Sequence, residues 1–177
     1  MKVQRRGRRT AMSELERDAF LTTERTCRVA SVGGDGSPHV TPLWFVWDGT
    51  SLWLTSIVQS QRWADLQRDN RVSVIVDAGS EFMELRGVEM RGVADVVGEV
   101  PRTGEPNPDL EIPEGLFADK YAGGDLRHDG RHAWLRITPD KIVSWDFRKL
   151  TAEAPGQAAH ERRYPLTSTS RSGSEIA

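Results

Sequence analysis

The sequence predicts a mainly β protein, a small barrel with a few short flanking helices. Three observations carry this. Short β-rich runs recur along the chain, at residues 27–32, 39–47, 51–55, 72–77 and 82–97. Turn signals stand between them, Gly33-Gly34-Asp35-Gly36 and Asp48-Gly49, and Asp-Gly between two β-rich runs is the strongest short-range hairpin signal. Helical patterning is confined to brief stretches. Many short strands at regular spacing are the pattern of a small barrel.

Composition sets the frame. The chain has 177 residues, 37% of them hydrophobic, and a formal net charge of -2. That supports one domain with a core, neither disordered nor built for general nucleic-acid binding. No apolar run approaches the roughly 20 residues of a membrane span, and no membrane partner is expected. The N-terminus is basic without an apolar stretch behind it, so a secretory signal is not expected. The single Cys27 excludes an internal disulfide framework and suits a reducing, cytoplasmic compartment.

The domain plan has three parts. Residues 1–12, with Arg5-Arg6-Gly7-Arg8-Arg9, read as a disordered basic arm whose removal should leave ligand binding unchanged. Residues 13–149 form the barrel, and residues 150–177, poor in apolar side chains, a disordered tail.

Within the barrel, Ser13 caps a helix over residues 13–22, with Leu15, Ala19 and Phe20 at helical spacing. Residues 39–47 form one strand. Alternation sends Trp44 to one face and Phe45 and Trp47 to the other, so both faces need cover, from a dimer partner or from a flanking helix. A helix over residues 60–68 follows the third strand. Residues 82–97 are two strands or one long bent strand, interrupted by Gly87 and Gly92. Residues 98–113 read as a loop, followed by a short helix over residues 115–121 with Phe117 and Tyr121 on one face. Residues 122–131 are a polar loop. Residues 132–137 and 141–147 form a closing hairpin around Pro139-Asp140.

The chemistry concentrates at the start of the helix at Ser60. Free backbone N–H groups and the positive dipole end favour an anion there. Ser56 and Ser60 supply hydroxyls, and Arg62 a planar fork suited to phosphate. Ordinary capping by Ser60 and a solvated arginine account for the same residues. Elsewhere chemical motifs are sparse. No P-loop, G-x-G-x-x-G or G-x-S-x-G is present, and His128 and His132, four apart, lack a Cys or Glu partner for zinc. No catalytic side chain and no metal site is assigned. Such scarcity suits a protein whose cofactor carries the chemistry, and equally a non-catalytic carrier.

The order of strand, Asp-Gly hairpin, strand, Ser60-Gln61-Arg62, Leu66 and Asp69-Asn70-Arg71-Val72 resembles the flavin-binding split β-barrel superfamily. This superfamily includes pyridoxamine 5'-phosphate oxidase-like proteins and deazaflavin-dependent oxidoreductases. The resemblance covers residues 14–149 and implies a homodimer with the cofactor in a groove between subunits. Flavin-using members hold the FMN phosphate with a basic residue on the second strand and an Arg-Lys pair at the helix start. Here that strand has no Lys or Arg, and the pair reads Gln61-Arg62. The layout is therefore closer to the branch that uses the deazaflavin coenzyme F420. The resemblance implies contacts from Thr41, Pro42, Thr55, Ser56, Ser60, Gln61, Arg62 and Trp63, with backbone contacts from Val40 and Leu43. From the second subunit it implies Trp145 and Phe147, with Arg148 and Lys149 meeting the anionic tail. The implied activity is hydride transfer from reduced F420 to a small unsaturated substrate shaped by the loops 98–113 and 122–131. The alternatives are an FMN-binding oxidoreductase of the pyridoxamine-phosphate-oxidase type and a carrier without turnover.

Overall fold

The structure, a computed structural model, describes residue 4 and residues 7–152; the expected tail beyond residue 152 lies outside the described residues. Helix α1 (Glu14–Thr23) starts from Ser13 in a capping box. The Ser13 hydroxyl accepts from the Glu16 N–H, and the Glu16 carboxylate accepts from the Ser13 N–H at 2.7 Å. Phe20 and Leu21 are its buried residues, whereas Leu15 is 85% exposed. Strands β1 (Thr26–Val32) and β2 (Pro38–Trp44) pair along their whole length. Strands β3 (Val46–Trp47) and β4 (Leu52–Ile57) flank the Asp48-Gly49 turn. Gly49 has φ 97°, a conformation open to glycine. The Asp48 carboxylate accepts from the Thr50 and Ser51 N–H groups and from Trp53 Nε1. Helix α2 (Gln61–Arg68), β5 (Arg71–Ala78), β6 (Arg86–Val97), α3 (Pro108–Tyr121), β7 (His132–Asp146) and α4 (Lys149–Ala152) follow.

The strand order is β2-β1-β5-β6-β7-β4-β3, antiparallel throughout. The two ends of this order, β2 and β3, are separated in sequence by Phe45 alone. One residue cannot span an open seven-stranded sheet, since neighbouring strands lie about 4.8 Å apart. The sheet therefore curls until its ends meet, which makes the split barrel. Its interior is filled by Val29, Phe45, Leu54, Met90 and Ile137 among others. A second cluster lies outside the wall, where α3 packs Leu110 and Phe117 onto Val46, Trp53 and Trp134.

The residues expected as one strand, 39–47, divide at Phe45, while the expected alternation persists. Phe45 and Trp47 face the interior, Val46 faces α3, and Trp44 stacks on Tyr121 of α3 at 4.7 Å. Sitting between two ladders, Phe45 takes its hydrogen bonds from α3. Its N–H donates to the Tyr121 hydroxyl at 3.2 Å, and its carbonyl accepts from Tyr121 and from Lys120 Nζ. The flanking helix, one of the two covers anticipated, occupies the outer face.

Two sequence expectations need correction. Helix α3 begins at Pro108, with Asn107 as its cap, and carries Pro113 inside it. A proline at the first helical position is well tolerated, and Pro113 marks no boundary. The expected closing hairpin is one continuous strand, β7. It pairs with β6 along its length, with Gly92 opposite Pro139 and Arg91 opposite Lys141, so Asp140 is a bulged extra residue. Proline has no N–H to lose, and a bulge tolerates it. Gly92 is required there, since a Cβ would collide with the Thr138 carbonyl. Strand β6 is thus the long bent strand, kinked at Gly92, whereas Gly87 gives way to the Trp145 ring. The N-terminal segment runs beside β7. The Met12 N–H donates to Ser144 Oγ, and the Asp146 N–H to the Thr10 carbonyl.

Candidate functional site

Strand β4 ends where α2 begins, and the junction gathers side chains from three elements. Ser60 caps α2, its hydroxyl accepting from the Trp63 N–H at 3.2 Å. Ser56 Oγ lies 3.4 Å from Ser60 Oγ. Arg62 turns inward and is only 6% exposed. Its Nη1 donates to Thr41 Oγ1 at 2.6 Å and its Nη2 to Ser56 Oγ at 3.1 Å, while its buried Nε has no partner. The sequence-predicted Thr41, Ser56, Ser60 and Arg62 are thus brought together.

The electrostatics are unusual for a buried guanidinium. Arg62 has only neutral hydroxyls for partners, and no carboxylate of the described residues forms an ion pair with it. Burial pulls its pKa below the ordinary arginine value. Cys27 supplies no compensation, because burial pushes its thiol up to about 12 and keeps it neutral. Buried charge without a counter-charge costs several kcal/mol, and an anionic ligand would offset that cost. Among the described residues, the backbone N–H groups of Gln61 and Arg62 at the α2 start also meet no acceptor.

The other predicted residues fall into separate places. Gln61 is exposed and donates to Asp65 Oδ1 at 2.8 Å. Trp63 packs in the barrel interior. On β2, Thr41 and Leu43 are half-buried, whereas Val40, Pro42 and Trp44 form an outward apolar row. Thr55 faces away from Ser56, into a cavity of about 240 Å³ on the other side of the wall. Trp145 lies against Gly87 and Phe147 against Phe82. Arg148 is paired with Asp146, and Lys149 with Glu16 at 2.6 Å. These four lie at or beyond the far end of β7, roughly 40 Å along the strand from Ala133, which pairs with Ser56. Within one subunit they do not join Arg62.

Two features escaped the sequence reading. Buried Asp65 accepts from Gln61, Ser31 Oγ and Arg68, and lies 3.3 Å from His39 Nδ1. The Gln61 bond leads in holding its carboxyl below the usual range. The Gln61–Asp65 spacing of four within a helix is the signal that could have found it. The second is the buried Arg102, whose guanidinium joins Glu99 and Glu114, while Trp134 Nε1 also donates to Glu114. Glu99 and Arg102 are three residues apart, but no local spacing links them to Glu114 or Trp134.

Comparison with known proteins agrees with this fold. The model of the pyridoxamine 5'-phosphate oxidase family matches residues 14–146. The chain belongs to that family, within the flavin-binding split-barrel superfamily of oxidoreductase-like proteins. The crystal structure of the conserved hypothetical protein Rv2991 from Mycobacterium tuberculosis is 32% identical, with a TM-score of 0.70 over 89% of this chain and 97% of that one. An F420 reductase is 24% identical, with a TM-score of 0.53 over 71% and 94%. A FAD-binding protein from Mesorhizobium loti is 21% identical, with a TM-score of 0.58 over 76% and 93%. The latter two likenesses concern the fold alone. A comparison with curated proteins gave no match.

Proposed function

We propose that this protein is an oxidoreductase that uses reduced coenzyme F420 to transfer a hydride to a small unsaturated organic substrate. The observation that carries the reading is Arg62, a buried guanidinium with a free Nε and no carboxylate beside it. Arg62, the hydroxyls of Ser56 and Ser60 and the α2 backbone would hold the cofactor's phosphate. F420 links its phosphate as a diester with one negative charge, whereas the FMN monoester carries nearly two. A single uncompensated cation, on a site whose neighbouring β2 has no Lys or Arg, suits the diester better.

The bound deazaflavin would supply the hydride. The protein would orient the ring along β2, where Val40 is 59% exposed and Trp44 52%. That apolar row is also the surface we assign to a homodimer contact, with the cofactor between subunits and Trp145 and Phe147 reaching in from the partner. In that arrangement Arg148 and Lys149 would exchange their intrachain carboxylates for the anionic tail.

The test is a tryptophan-fluorescence titration with F420 and, in parallel, with FMN, on the wild type and on Arg62→Met. Saturable binding of F420 alone, lost in the variant, supports the reading. Preference for FMN overturns the choice of cofactor. Binding of neither removes the redox function and leaves the fold standing.

A further inference from the structure

The cavity behind β4 has its own chemistry. Three aromatic rings wall it, Trp44, Phe117 and Trp134. Phe117 meets Trp134 edge-on at 5.5 Å and Trp44 at 6.2 Å, and Tyr121 fixes the plane of Trp44 by stacking on it. Its arginines and His132 have carboxylate partners within the chain, and His128 completes the polar lining. Arg102 is bound by Glu99 and Glu114, Arg127 by Asp125, and His132 by Asp129. The cavity therefore selects for aromatic surface and against net charge. At about 240 Å³ it exceeds the roughly 150 Å³ that holds a benzene ring, so it fits a flat molecule of one or two rings.

Its polar equipment is small and specific. His132 Nδ1 lies 2.7 Å from Asp129 Oδ2. A carboxylate only accepts, so Nδ1 carries a hydrogen and Nε2 is the nitrogen left for a ligand. Asp129 is fixed in turn by the N–H groups of Arg131 and His132. Thr55, on the neighbouring strand and two positions along the register from His132, also lines the cavity. Trp44 ends the outward row of β2 that begins at Val40, so the proposed ring seat leads to this cavity.

We propose that this cavity seats the hydride acceptor, a neutral, flat, conjugated carbonyl compound, and that His132 is its proton donor. The assignment rests on the hydride-transfer reading above. A bound reduced cofactor would supply the hydride to the carbon end of the conjugated system and would itself be the species oxidised. The hydride brings the acceptor its two electrons, the carbonyl oxygen takes the Nε2 proton of the imidazolium, and the neutral imidazole recovers a proton from water. Asp129 is a positioning residue that keeps Nε2 turned to the ligand.

The experiment begins without cofactor. Quenching of tryptophan fluorescence by 1,4-naphthoquinone is compared with quenching by its anionic 2-sulfonate. Saturable binding of the neutral quinone, weaker by roughly tenfold for the sulfonate and weakened roughly tenfold in Trp44→Ala, is the expected result. Equal or tighter binding of the sulfonate, or an unchanged Trp44→Ala, overturns the assignment. In turnover, His132→Ala should retain quinone binding, lose on the order of 10²–10⁴ in rate and recover when free imidazole is added. Loss of rate without rescue overturns the proton-donor role. If the wild type binds the quinone as stated but reduces it with neither F420 nor FMN, the hydride reading fails while the ligand site stands.

Discussion

Thr55 and Ser56 are neighbours on β4, yet they serve opposite sides of the barrel wall. Ser56 is fully buried and accepts from Arg62, while Thr55 opens onto the aromatic cavity under α3. Strand alternation makes this unavoidable. Two sequence-adjacent residues assigned to one ligand thus sit in two compartments, divided by the thickness of a strand.

Arg62→Met should separate binding from stability. A charge-assisted contact to phosphate is worth about 1.5–3 kcal/mol, so cofactor affinity should fall tenfold or more. The unliganded protein should be no less stable, because the substitution removes a buried charge that lacks a carboxylate partner. Isothermal titration and thermal unfolding of the same preparations check both halves. A drop in both would mark Arg62 as a scaffold residue.

Tyr121→Phe should cost about 1–3 kcal/mol, the penalty for an unsatisfied buried group. The substitution keeps the ring against Trp44 and leaves the Phe45 N–H without its acceptor. Urea unfolding measures it. An unchanged midpoint would mean that Phe45 finds another partner.

The Arg102 network predicts an acid dependence. The Glu99 carboxyl is held down at about 2 by its own backbone N–H and by Arg102. Its folded value lies below the unfolded one, so its contribution is present above about pH 4.5 and is lost as pH falls toward 2. Thermal unfolding across that window should show a shallower decline for Glu99→Gln than for the wild type. Parallel curves would remove Glu99 from the balance.

Gly92→Ala should be among the harshest single changes in the barrel, since the new Cβ meets backbone atoms that cannot rotate away. Overpacking of this kind costs roughly 1–3 kcal/mol or more. Gly36→Ala, with nothing within 4 Å of its Cβ but φ 85°, is the comparison that isolates conformational strain from collision. Denaturant midpoints of the pair give the difference.

What could be read from sequence follows local physics. The Asp48-Gly49 turn, the Ser13 and Ser60 caps and the inward alternation of Phe45 and Trp47 depend on residues within a few positions of one another. The place of Arg62 in the first turn of α2, beside the Ser60 cap, was legible in the sequence. Its isolation from carboxylates was not, because that depends on Thr41 arriving from β2. Proline misled twice. At Pro113 it marked no helix start, because Asn107 caps α3 further upstream, and at Pro139 no hairpin turn, because the strand continues through a bulge. The cavity was invisible because Trp44, Phe117 and Trp134 belong to three elements that only the fold brings together.

The single-residue link at Phe45 has a mechanical meaning. A circular permutant with new termini between Phe45 and Val46 would keep every strand ladder intact, yet nothing covalent would hold the two rims of the ribbon side by side. Closure would then fall to Tyr121 and Lys120, which grip Phe45 from the adjoining helix. Helix α3 is in that sense a clasp on a belt, and the outward row of β2 and the aromatic cavity both lie beside the buckle.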